Sequence, residues 1–439
     1  MVYTIPLMGS RSAINKIADF PSPCSIHSLP NNHFLMTTFS TNRRNALKKG
    51  LLTLGSLAAL PQLSEAASRS INDGAFADAP LSLDPELRIF RSPMVREHFL
   101  ETTRERPKIT TKLSSNENPY GPPMSAQEAV AESVKRGNRY AWQEMADLID
   151  KIAKKEGVTP EHIMMGPGSS DLLEKTALVL FMNGGNIVSA DPCYMSLINV
   201  AKSVGASWKA VPCKADWSHD LKAMEAAIDK DTKLVYICNP NNPTGSITAG
   251  DELLDFCSRV SEKVPVFVDE AYIELAVGAN TKSMNTLLAK NKNVIIARTF
   301  SKIMGMAGIR VGYMAAQPEF LKQVQKITRG GMGVSYTSIF AASASMDDSS
   351  FQDMTRTKNH EAKNYLLASL DKMGYKYLPS YTNFVIFPIN IPGRDFLAKM
   401  VAKEIGVKAY DIQDKPWCRV SIGTMDEMKL FVSALQEIS

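Results

Sequence analysis

Residues 264–272 read VPVFVDEAY, and residues 298–310 read RTFSKIMGMAGIR. The first stretch is a short apolar run that ends in Asp269 and Tyr272. The second follows another such run, NVIIA at 293–297, and carries Lys302 with Arg310 eight residues further on. Runs this short and continuously apolar read as strands buried on both faces of a sheet. The same pattern recurs outward along the chain, in EHIMMG (161–166), NIVSA (186–190), KLVYICN (233–239) and IRVGYMAA (309–316). Helical segments alternate with them, at LLEKTALVLF (172–181), LINVAKSVGA (197–206) and DELLDFCSRVSEK (251–263). Alternation of this kind predicts a doubly wound α/β domain with a mostly parallel sheet. Beyond it, helices mix with short strands, TNFVIF (382–387) and CRVSIG (418–423), as in a smaller α+β domain.

The expected division is 1–77 for a targeting segment and 78–138 for an N-terminal arm with part of the small domain. A large domain at 139–330 and a small C-terminal domain at 331–439 follow. Within the arm, PMVREHFLETT (93–103) reads as a short helix and residues 125–136 as an amphipathic one. KLSSNENPYGPP (112–123) is turn-rich, because its Asn, Pro and Gly residues break any period.

In α/β sheets, ligand-binding groups sit beyond the carboxyl ends of the strands. Here those positions hold a lysine, an acid, a phenol and an arginine. A lysine that bonds to an aldehyde, an acid that holds a pyridinium proton and an arginine for a phosphate are what pyridoxal 5′-phosphate (PLP) requires. With NPNNPTG at 239–245, the chain resembles the fold-type I PLP-dependent aminotransferases, closest to the histidinol-phosphate aminotransferase branch, over about residues 110–435.

The resemblance implies a role for each residue. Lys302 is the cofactor lysine and, once displaced by substrate, the general base for the α-proton. Its amine must be neutral to do either, and Arg310 nearby favours that. Asp269 faces the pyridine nitrogen. Tyr272 and Asn242 face the ring's 3-oxygen. Gly168, Ser169 and Ser170 open a helix whose backbone N–H groups hold the phosphate, with Ser301 and Arg310. Tyr194, in DPCYMS, stacks on the ring. Tyr140, in NRYAWQ, reaches the phosphate of a neighbouring subunit, which makes the protein a homodimer; Ala141 stands where relatives carry proline. Arg419 grips the substrate carboxylate, or the group that replaces it, with Asn242 beside it, and Tyr120 lies over the substrate in an N-terminal lid. The Asn242–Pro243 peptide is expected to be cis.

The implied reaction moves an amino group between an amino acid and a 2-oxo acid in two half-reactions. Histidinol phosphate is the named alternative substrate. However, the RQPFNVN of many relatives is replaced in ITRGGMGVSYTSIFAASA (327–344), where Arg329 remains but the Asn pair is gone. Decarboxylation or oxidation of the amino acid are further alternatives, because the cofactor residues do not choose the bond that breaks.

The charge of +5 is unevenly placed. Residues 1–77 hold seven basic residues (Arg11, Lys16, Arg43, Arg44, Lys48, Lys49, Arg69) against three acids (Asp19, Glu65, Asp73), leaving the remainder near neutral. That argues against a nucleic-acid surface; a DNA-binding PLP regulator is disfavoured because an apolar export-like segment stands where its basic helix-turn-helix module would be. Six scattered cysteines without CxxC pairs argue against zinc or a disulfide framework. NRRNALK (42–48) followed by GLLTLGSLAAL (50–60) resembles a twin-arginine export signal. Arg43, Arg44, Leu47 and Lys48 match that pattern, while Asn42 and Ala46 depart from it. Cleavage is expected after Ala66 or Ala77, and Met36 is a candidate start. The apolar run is too short for a permanent membrane span, so a periplasmic or exported location is expected, with a cytoplasmic one as the alternative.

Overall fold

The computed structural model describes residues 92–100 and 107–438. The export-like segment, both cleavage positions and Met36 lie outside them. In chain order the strands are β1 (Val95–His98), β2 (Thr111–Lys112), β3 (Ile163–Gly166), β4 (Asn186–Asp191), β5 (Ser207–Pro212), β6 (Thr232–Cys238) and β7 (Val266–Asp269). They continue with β8 (Val294–Thr299), β9 (Gly312–Ala316), β10 (Phe384–Pro388), β11 (Ile405–Gly406), β12 (Lys408–Ile412) and β13 (Lys415–Ser421).

Seven strands form the main sheet, in the order β3-β9-β8-β7-β6-β4-β5. All pairings among β4 to β8 are parallel, whereas β9 runs antiparallel to both β3 and β8. The chain leaves β8 at Thr299 and turns back without an intervening helix, its loop closed by Phe300 N–H on Val311 O at 3.2 Å. A return this direct can only place the next strand antiparallel, since a parallel one needs a crossover.

Alternation along the central strands sorts side chains into two cores. Val235 and Ile237 of β6, Val266 and Val268 of β7, and Val294 and Ile296 of β8 face one core. Leu234 and Tyr236, Phe267, and Ile295 and Ala297 face the other. Helices cover both faces, so each fully buried aliphatic side chain contributes about 1.5–3 kcal/mol. The mostly parallel, doubly wound sheet is as the periodicity predicts.

A second, antiparallel sheet of four strands has the order β1-β12-β13-β10. It packs Ala409, Cys418, Val420, Val385 and Phe387 against C-terminal helices. The helix expected around residues 93–103 is a correction. Its described part is strand β1, with Val95 and Glu97 buried and Arg96 exposed, the period of two that a sheet edge imposes. The short β5, not expected from the sequence, is the far edge of the main sheet and is mostly uncovered. Among the described residues no helix is long and apolar enough to cross a membrane.

Candidate active site

A cavity of about 350 Å³ lies where the main sheet's strands end against the second sheet. Asp269 is the last residue of β7, and Lys302 follows β8 by three positions, so the sheet itself brings them together. Both line the cavity, with Ser169, Ser170, Tyr194, Asn242, Tyr272, Ser301, Arg310 and Arg419.

Asp269 is buried, and among the described residues its carboxylate accepts from Ala271 N–H at 3.1 Å and, weakly, from the Tyr236 hydroxyl at 3.5 Å. Burial pushes its pKa up to about 6, against the opposing pull of the Ala271 N–H, Lys302 and Tyr236. Lys302 donates to Asn116 O at 3.1 Å and Ser115 O at 3.5 Å. Its ammonium lies 5.4 Å from the centre of the Tyr272 ring. Its pKa is pushed down to about 8, first by burial and then by Arg419. Arg310, to which the sequence reading credited this effect, acts in the same direction but less strongly. Tyr272 is buried, its hydroxyl accepting from Asn116 Nδ2 at 3.0 Å, and burial pushes its pKa up.

One end of the cavity is built for an anion. Gly168, at φ 91°, precedes the 13-residue helix Ser169–Phe181. The Arg310 guanidinium lies against that turn, donating to Pro167 O at 3.1 Å and Ala307 O at 2.8 Å. The left-handed φ of Gly168 is strained for any other residue, and a Cβ there would stand 2.2 Å from Arg310 Nη2 and displace the guanidinium, so glycine keeps both turn and arginine in place. A helix N-terminus and a guanidinium then point the same sign of charge at one place. Ser301 Oγ accepts from Thr299 Oγ1 at 2.9 Å, and Ser170 Oγ meets Tyr194 Oη at 3.3 Å.

The other end is formed by Arg419, which the fold buries on β13. Its guanidinium donates to Asn242 Oδ1 at 2.6 Å and Ser114 O at 3.0 Å, while Nε has no partner among the described residues. It lies 5.2 Å from the Phe384 ring and 5.7 Å from the Tyr410 ring. The Asn242–Pro243 peptide is cis, as expected; Asn239–Pro240 and Asp191–Pro192 are also cis. Tyr120 is half-buried and lines a narrow cleft together with Lys302, Thr355 and Asn383.

Two expected site side chains do not line this cavity: Tyr120, which reaches only the adjoining cleft that shares Lys302, and Tyr140. Tyr140 is 81% exposed and stands beside Trp142 in a separate groove that also contains Arg329. Sequence reading missed Asn116, Glu97, Lys408 and Tyr410, all of which line the cavity. Asn116 was visible in the turn-rich NEN motif, where its φ of 53° suits asparagine. Glu97 and Lys408 had no signal, since a pair 311 residues apart meets only through the second sheet. Among the described residues no cluster of His, Cys, Asp or Glu could hold a metal, and five cysteines are free.

The residues present fit PLP. A nearly unpartnered buried carboxyl stands ready for a pyridinium, a softened lysine amine for an aldehyde, and the Gly168–Arg310 turn for a phosphate. Fold and cavity together define a fold-type I PLP-dependent enzyme. Comparison with known proteins narrows the class. The sequence model of aminotransferase class I and II matches residues 108–435. A histidinol-phosphate aminotransferase from Moorella thermoacetica is 36% identical over 333 residues, covering 75% of this chain and 86% of that protein. Another, from Dechloromonas aromatica, is 36% identical over 330 residues, covering 74% and 89%. Among solved structures, histidinol-phosphate aminotransferase from Sinorhizobium meliloti in complex with pyridoxal 5′-phosphate superposes with a TM-score of 0.70 at 28% identity, covering 75% and 90%. A double mutant of Thermus thermophilus aspartate aminotransferase, at 19% identity and a TM-score of 0.67 over 76% and 92%, shares the fold.

The chain belongs to the aminotransferase class I and II family. It is a PLP-dependent aminotransferase.

Proposed function

We propose that this aminotransferase works on an α-amino acid whose carboxylate docks at Arg419, rather than on histidinol phosphate. The observation that carries this reading is Arg419 itself. It is a buried guanidinium that, among the described residues, has no carboxylate partner and an unpartnered Nε, and it lines the cavity with Lys302. A planar fork of donors matches a carboxylate in a bidentate way. Histidinol phosphate would bring a second phosphate in place of that carboxylate, and the stretch 327–344, whose Arg329 lies in the separate groove with Tyr140, carries no Asn pair to receive it. The names of the relatives favour histidinol phosphate as the second reading.

PLP supplies an aldehyde for the substrate amine and a ring that takes up the electrons of the α-carbon. The chain's residues do the rest. Arg310, Ser169, Ser170 and Ser301 hold the phosphate. Asp269 keeps a proton at the ring nitrogen, and its carboxyl, unfavourably charged while alone, is relieved by that cation. Tyr272 and Asn242 orient the ring oxygen, and Tyr194 covers the ring face. Lys302, already shifted toward its neutral form, accepts the α-proton and returns it one position along. Tyr120 closes the substrate side. Both half-reactions share one site, so the kinetics are ping-pong.

The working form in this reading is a homodimer, which brings the exposed Tyr140 to the phosphate of the partner's cofactor. Export through the twin-arginine-like segment is also part of the proposal, supported by Arg43, Arg44, Leu47 and Lys48. The test is a spectroscopic screen of the purified holoenzyme against amino acids and histidinol phosphate. Conversion of the cofactor to its amine form by amino acids and not by histidinol phosphate is expected. Conversion by histidinol phosphate alone would reverse the choice of substrate.

A further inference from the structure

The Arg419 end of the cavity holds a charge arrangement that the reaction as described does not use. On the face of the second sheet that lines the cavity, Lys408 of β12 stands directly opposite Arg419 of β13 in the register. Glu97 of β1 stands opposite Tyr410, two positions along β12 from Lys408. Like charges directly opposite on a sheet repel. Here the repulsion is offset by Glu97, whose carboxylate pairs with the Lys408 ammonium. The Glu97 side chain is 3% exposed and that of Lys408 28%. Glu117, the other acid at this end, is matched by Lys112 at 3.2 Å.

This wall therefore carries two cations and one matched carboxylate, a surplus of a single positive charge, located on Arg419. One substrate carboxylate closes that balance. A second carboxylate, on the substrate side chain, would meet Glu97 rather than a free cation, because Lys408 cannot answer it without abandoning a buried acid, which is costly. Glu97 also precedes the family match at 108–435 and is delivered by the arm strand.

We propose that Glu97 is a specificity residue that restricts the site to amino acids and 2-oxo acids with one carboxylate. It does so by occupying the Lys408 ammonium that would otherwise bind a second, which is discrimination by a repulsive element. The inference rests on the reading of Arg419 as the carboxylate receptor.

The experiment compares glutamine with glutamate, which share shape and differ in charge, as amino donors to the holoenzyme. Its readout is the ratio of kcat/KM for glutamate to that for glutamine. The wild-type ratio is expected at about one tenth or lower, the size of a single unfavourable charge contact. Glu97→Gln frees Lys408 and should raise the ratio about tenfold or more. Lys408→Met leaves Glu97 unopposed and should lower it further. Glu97→Gln combined with Lys408→Met should lose the gain. If Glu97→Gln fails to bind cofactor, the fall in Lys408→Met decides. A wild type that uses glutamate as well as glutamine, or variants that leave the ratio unmoved, would overturn the inference while leaving transamination intact. If no amino acid converts the bound cofactor, the Arg419 reading itself falls and takes this one with it.

Discussion

Replacing Lys302 by methionine should make the cofactor-free protein more stable while abolishing the reaction. The chemistry requires an amine in a place where a charged amine is unwelcome. Burial, with Arg419 and Arg310 adding to it, lowers the Lys302 pKa from 10.5 to about 8. At about 1.4 kcal/mol per tenfold change in proton affinity, the protonated amine costs the native state at most about 3 kcal/mol at neutral pH. Methionine fills a similar volume without charge, and loses the bond to Asn116 O, which offsets about 1–2 kcal/mol. A net gain of about 1–2 kcal/mol at pH 7 is expected. Because the folded pKa lies below the unfolded one, the penalty is complete below about pH 8 and disappears as pH rises from there to 10.5. The variant's advantage should therefore shrink above pH 8 and reverse within the window, at about pH 9–10, leaving only the lost hydrogen bond above 10.5. Urea denaturation of both cofactor-free proteins at several pH values reads this directly. Parallel stability curves across that window would refute the claim that Lys302 is held against its charge.

Two further outcomes follow from the same site. Asp269→Asn should retain PLP but slow single-turnover amine transfer by about 100-fold or more, since a neutral amide cannot hold the ring proton; near-normal turnover would place the electron sink elsewhere. If Tyr140 completes a neighbour's phosphate site, dilution should release PLP together with dimer dissociation. Tyr140→Phe should then weaken PLP retention more than it slows chemistry, and sedimentation of a fully active monomer would overturn the shared site.

The sequence by itself determined the main sheet and the cofactor end of the site. Asp269, Lys302 and Gly168–Ser170 each follow a strand whose apolar run is legible, and parallel strands deliver such positions to one edge whatever the loops do. Local chemistry was legible there because each group lies within a few residues of the element that aims it.

Only the tertiary structure decided the substrate end. Strand β1 reads as helix by its short mixed pattern, and nothing in VREH announces that it will pair with β12 more than three hundred residues later. Long-range pairing put Glu97 against Lys408, and Lys408 opposite Arg419. It also settled which influence softens Lys302, since burial and the nearness of Arg419 exist only once the second sheet closes over the first. Register, which a linear pattern does not encode across such separations, converts three unremarkable charged residues into the wall that faces the substrate.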